Sequence, residues 1–138
     1  MKKVIYMIIL VFGILEADFV KNSNIIYDKN TNLQWQYKID SKKTWQSAID
    51  YCENLVIDDY DDWRLPNKKE LASIVDFTKY NPALDKAFDS ISSEAFWTST
   101  TYANELSWAW VINFYSGVES FSAKNGYQYV RCVRGETK

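Results

Sequence analysis

The feature that most constrains this chain is its pair of cysteines. Cys52 and Cys132 are the only two, one in the first half and the other near the C-terminus. If they are joined, every element between them must fit a closed loop of about 80 residues, worth roughly 4 kcal/mol in the chain-entropy model. An even count reads as a disulfide in an oxidising compartment and as two buried thiols in a reducing one. The compartment therefore has to be read first.

The N-terminus carries that information. Lys2 and Lys3 precede an uncharged apolar run over residues 4–15, and Glu16, Ala17 and Asp18 close it with a small residue where a signal peptidase would cut. This is the layout of a secretory signal peptide over residues 1–17, followed by one domain over residues 18–138. A spanning helix needs about 20 apolar residues, so the run is short for a permanent anchor. No integral membrane segment is expected after cleavage. The alternative is a buried N-terminal strand or helix. A periplasmic or secreted chain makes the disulfide the expected state of Cys52 and Cys132.

Chemistry is narrowed by what is missing. The sequence contains no histidine, which removes the Ser-His-Asp and Cys-His triads and every His-ligated metal site. With both cysteines paired, no thiolate remains as a nucleophile or zinc ligand. The formal charge of −2 leaves no electrostatic footprint for nucleic acid. Neither an enzyme nor a cofactor is expected, and no residue is assigned to catalysis or to a resident metal. The residues are 47% hydrophobic and 17% aromatic, enough to build a core in one domain.

Hydrophobic periodicity divides the chain. Ile25-Ile26-Tyr27 and Leu33-Gln34-Trp35-Gln36 flank the turn-rich Asp28 to Asn32 and predict an N-terminal hairpin. Trp45, Ala48, Ile49, Cys52 and Leu55 fall on one helical stripe behind a Thr44 cap. Asn67 with Glu70 three residues on resembles a capping box ahead of Leu71, Ile74 and Val75. Asn81-Pro82 predicts a further short helical segment over residues 83–88. From Phe96 the period becomes two, predicting strands around Phe96 to Thr100, Trp108 to Phe114, Val118 to Ser122 and Tyr127 to Arg134, the last turn marked by Asn125-Gly126. Helices followed by a four-strand meander argue an α+β fold. Two helices would pack on a curved antiparallel sheet beside the N-terminal hairpin.

This order fits a C-type-lectin-like domain, and the wording of particular stretches is closer still. Leu33-Gln34-Trp35-Gln36, Tyr51-Cys52, Asp62-Trp63-Arg64-Leu65-Pro66-Asn67, Phe96-Trp97-Thr98-Ser99-Thr100, Trp108-Ala109-Trp110-Val111 and Tyr129-Val130-Arg131-Cys132-Val133-Arg134-Gly135 occur in succession. Together they resemble the Lcl C-terminal domain, a family named for a bacterial collagen-like adhesin. The resemblance implies an adhesive or ligand-binding module; in the adhesin the domain is associated with sulfated polysaccharide. The present sequence has four glycines and no Gly-X-Y repeat, so the resemblance brings no collagen-like stalk with it.

The candidate surfaces each have a bland alternative. Asp58, Asp59, Asp61 and Asp62 offer oxygen ligands for calcium but lack the EF-hand spacing and glycine, so a solvated loop is the simpler reading. Trp63 to Pro66 reads as structural. Trp97, Tyr102, Trp108, Trp110, Tyr115 and Tyr127 supply rings for stacking on sugar, yet alternation places about half of such residues in the core. Arg131, with Arg134 and Lys124, offers cationic contacts to sulfate or carboxylate, or else a solvated strand face. Trp97, Tyr102, Trp108 and Arg131 are the ligand-binding candidates. The expected function is an exported binding or adhesion module for polysaccharide or an envelope protein. The alternatives are a glycan hydrolase using paired carboxylates and a structural envelope subunit.

Overall fold

The computed structural model describes residues 18–136; the signal-peptide reading of residues 1–17 lies outside them. The chain is α+β, with two helices and two antiparallel sheets. The first sheet begins with β1 (Phe19–Asn22), β2 (Ile25–Asp28) and β3 (Gln34–Gln36). The expected hairpin is β2–β3, paired Ile26 to Trp35. Its connection is built by the buried Asp28 carboxylate, which accepts from the Asn30 N–H at 2.9 Å and the Thr31 hydroxyl at 2.6 Å. Asn32 completes the turn at φ 67°, a conformation asparagine tolerates better than most residues. Strand β1, absent from the sequence reading, adds to the outer edge of β2.

Helix α1 (Trp45–Glu53) starts at Thr44, whose side chain accepts from the Ser47 N–H. Ala48 and Cys52 are buried on its inner stripe. Helix α2 (Lys68–Ala72) carries the full capping box of Asn67 and Glu70. It is shorter than the apolar pattern implied, although Leu71 and Ile74 are both buried.

Strands β4 (Ala95–Thr101), β5 (Trp108–Asn113) and β6 (Val118–Ala123) form the second sheet in that order. The expected fourth strand of this meander does not form. Beyond the turn at Gly126, Gln128 pairs with Lys43 and Tyr129 makes a parallel bridge to Phe96. The chain then enters the first sheet, where β7 (Val133–Arg134) pairs with β3. A single curved sheet is thus replaced by two, and residues 127–134 stitch them together. The reason is that Gln128, Tyr129 and Cys132 each bond a different segment, namely Lys43, β4 and Gln36, so no long run forms against any one of them.

The helix expected over residues 83–88 is also reduced, to a 3-10 turn at Lys86–Phe88. The Asn81 and Ala83 N–H groups donate to the carbonyls of Tyr115 and Phe114, each at 2.7 Å. Those bonds hold the segment extended against the β5–β6 hairpin instead of letting it wind.

Two cores flank the β4–β5–β6 sheet. Leu71 and Ile74 are buried with Phe96, Ile112, Phe114, Phe88, Trp35 and Val133. On the other face, Ala48 and Cys52 of α1 are buried with Trp97, Ala109, Val111, Trp63 and Cys132. Cys52 and Cys132 are bonded at 2.10 Å across a separation of 80 residues. Among the described residues no helix is long and apolar enough to cross a membrane.

Candidate functional site

The motifs that dominate the sequence serve the scaffold. Arg64 donates to both Glu70 carboxylate oxygens at 2.7 Å and to the Gly135 carbonyl at 2.8 Å. Burial alone would raise the Glu70 carboxyl, but the bonds from Arg64 and the Asn67 N–H, with the Arg64 charge, hold it below its ordinary value. Arg134 grips Asp62 through two nitrogens at 2.6 and 3.1 Å and lies over the Tyr60 ring. The bond from Arg134 lowers the Asp62 carboxyl. Asp62 is thus committed to the Arg134 side chain. Among the described residues no three acidic, cysteine or histidine groups gather as metal ligands.

The four residues expected to touch ligand divide into two pairs. Trp97 is fully buried, with its indole N–H donating to the Lys43 carbonyl at 2.7 Å. It faces α1 because it pairs across to Val111, an inner position of β5. Arg131 is 1% exposed. Its guanidinium donates to the carbonyls of Gln36 (2.6 Å), Tyr37 (3.1 Å) and Ser90 (3.1 Å), and lies against the rings of Phe88 and Phe96. Burial pushes its pKa down to about 9, which leaves it cationic at neutral pH. Arg131 and Cys132 are adjacent yet point into different cores. The side away from Cys132 is thus the other core and not solvent. Neither Trp97 nor Arg131 presents surface to a ligand.

Tyr102 and Trp108 do. Trp108 is 36% exposed and Phe121 41%. Phe121 stacks on Tyr102 with centroids 4.5 Å apart and planes 20° apart. It also meets Trp108 at 5.2 Å and Trp110 edge-on at 6.1 Å, while Tyr102 meets Trp110 at 5.3 Å. Four rings from three segments therefore form one continuous patch on the half of the sheet that α2 leaves open. The patch has a polar rim. Lys68, at the start of α2, sits 3.8 Å over the Trp110 ring and pairs with Glu119 at 3.1 Å. Asn104 bonds the Tyr102 hydroxyl at 3.4 Å.

Phe121 is the hub, and reading the sequence missed it. The signal was present. With the β5–β6 turn centred on Tyr115-Ser116, counting back pairs Trp110 with Phe121, and cross-strand partners share a face. Tyr115 and Tyr127 are exposed but make no ring contact with this group.

A separate concavity of about 400 Å³ lies beside Gln36, Tyr51 and Leu55. The Gln36 amide inside it already donates to the Lys38 carbonyl and the Tyr51 hydroxyl, both at 2.9 Å. The aromatic patch is the stronger candidate because its rings are held together yet open to solvent.

A search of curated proteins found no match to the chain. The family profile described as the Lcl C-terminal domain matches residues 24–134, a span that runs from the β2–β3 hairpin to β7 and takes in both cysteines, the Arg64–Glu70 clamp and the buried Arg131. On that match, the chain belongs to the Lcl C-terminal domain family.

Proposed function

We propose that this chain is an exported, non-catalytic binding module on a C-type-lectin-like scaffold, acting in the periplasm or outside the cell on a polysaccharide. The observation that carries the reading is the open patch of Tyr102, Trp108, Trp110 and Phe121. Flat rings with polar groups at the margin suit the alternating apolar faces and hydroxyl edges of a pyranose chain, and aromatic anchors of this kind dominate binding energy elsewhere. The disulfide supports an oxidising location. A non-catalytic role is supported by the carboxylates beside the patch, which are held by their own neighbours: Glu119 by Lys68 and Glu105 by the Ser107 hydroxyl.

The test is a glycan array probed with residues 18–138, followed by titration of the best ligand into the wild type and Trp108→Ala. Binding that weakens by about tenfold in the variant fits the proposal. Binding untouched by the substitution, or none at all, overturns it. One observation favours a second reading, an envelope-protein partner: β6 is an edge strand, and Val118 to Phe121 are exposed. Unpaired edges accept an added strand. Covalent capture through a crosslinker placed at Ser120, with no glycan bound, would favour that partner.

A further inference from the structure

Of the charges around the aromatic patch, only Lys68 and Glu119 meet each other, and most of the rest are engaged by neutral neighbours. Lys68 is paired with Glu119 and lies on Trp110. Lys124 donates to the Thr101 hydroxyl at 2.9 Å and lies 4.0 Å over the Trp45 ring. Glu105 accepts from the Ser107 hydroxyl at 2.8 Å. Lys69 is the further cation near the rim, beside Lys68. The three arginines among the described residues lie elsewhere: Arg64 on Glu70, Arg134 on Asp62, and Arg131 in the core. A sulfated or uronic chain presents a row of anions and calls for a row of unpaired cations, preferably arginine forks. This face has stacked rings where that row would be.

The patch is also longer than one ring. Trp108 and Trp110 stand two residues apart on one strand face, about 7 Å. A concavity opens at each end. One, of about 570 Å³, is bordered by Lys68, Thr100 and Glu119. The other, of about 340 Å³, is bordered by Ser107, Trp108 and Lys124. The rings lie between these two hollows, so a linear ligand can run from one to the other.

We infer that the ligand of this face is a neutral polysaccharide, bound lengthwise as several consecutive pyranose units by stacking and hydroxyl hydrogen bonds, and not a sulfated one. This rests on the binding reading above and names its ligand class. Association is then nearly independent of salt, because no ion pair forms between protein and ligand. Affinity rises with chain length until both hollows are filled.

The experiment is a titration, followed by tryptophan fluorescence, of neutral gluco-, manno- and galacto-oligosaccharides from disaccharide to hexasaccharide. Dextran sulfate and heparin are run in parallel. Salt is raised from about 0.1 M to about 1 M, over which the Debye length falls from about 10 Å to about 3 Å. Trp108→Ala and Phe121→Ser are compared with Tyr80→Ser, an exposed ring outside the patch, and thermal melts establish that each variant is folded. The expected result is a neutral oligosaccharide whose affinity grows with length, changes less than about twofold with salt, and falls about tenfold in the two patch variants. Binding confined to dextran sulfate or heparin, abolished by salt yet still lost in the patch variants, overturns the neutral-ligand inference and leaves the patch as the site. Binding of either class that ignores Trp108→Ala and Phe121→Ser overturns both, as does binding of neither.

Discussion

Arg131 and Glu70 are charged residues inside a core, and they are stabilised in different ways. Among the described residues no carboxylate bonds the Arg131 guanidinium; three carbonyl oxygens and two ring faces surround it. Arg131→Met removes the donors and leaves those carbonyls short of partners, at about 1–3 kcal/mol each for groups that stay dry. A loss of about 3 kcal/mol or more is expected in urea unfolding, and a change under about 1 kcal/mol would refute the cage. Glu70 is buried under Arg64, which is itself partly exposed. Its folded pKa is lowered, so its contribution is complete above the unfolded value near 4.5 and is lost as pH falls through the lower folded value. Glu70→Gln should cost about 2 kcal/mol at neutral pH and flatten the decline of melting temperature below about pH 4.5. Asp62, with its side chain 57% exposed, forms an equally short pair with Arg134, yet Asp62→Asn should cost under about 1 kcal/mol because water screens it. Comparing the two variants by denaturant unfolding separates buried from exposed clamps of the same geometry.

At the scale of elements, the β5–β6 connection depends on one glycine. Gly117 has φ +83°, and a Cβ there would lie 2.5 Å from the Val75 Cγ1. Gly117→Ala is expected to cost about 1–3 kcal/mol through backbone strain and overlap, read as a lowered denaturation midpoint. The elements themselves were unequally legible. Helix α1 and the β2–β3 hairpin could be read because each declares its own period, cap or turn residues locally: Thr44 and the Cys52 stripe in one, Asp28 and Asn32 in the other. Residues 127–134 could not be. Alternation says that a chain is extended, but not which neighbour it pairs with, and Asn125-Gly126 marks a turn without saying where the strand after it goes. The same gap misplaced Arg131, since an outward position on an assumed surface strand is an inward one between two cores; Trp97 was misplaced because alternation does not say which face of β4 helix α1 covers. In the candidate site, Tyr102, Trp108 and Trp110 were legible as rings in alternation. Phe121 required the register, and Lys68 required knowing where α2 crosses the sheet.

For the whole molecule the disulfide is the largest single constraint. Its loop of 80 residues makes the double variant Cys52→Ala, Cys132→Ala less stable by about 4–5 kcal/mol in the chain-entropy model. That is a large part of the roughly 5–15 kcal/mol typical of a domain. Equilibrium unfolding of the oxidised wild type against the double variant measures it, and a difference under about 1 kcal/mol would show that packing alone closes the fold. The bond also joins the two layers: Cys52 lies on α1, and Cys132 immediately precedes β7.

The stitching segment sets the order in which this protein can come into being. Earlier segments cannot complete their contacts without residues 127–134: β3 waits for Val133, Phe96 for Tyr129, and Cys52 for Cys132. A chain without this segment has an unpaired edge on β3 and nothing to seat in the carbonyl cage. The earlier segments therefore stay unlatched from one another until this one stretch docks, and a single late arrival closes hairpin, sheet and helix together.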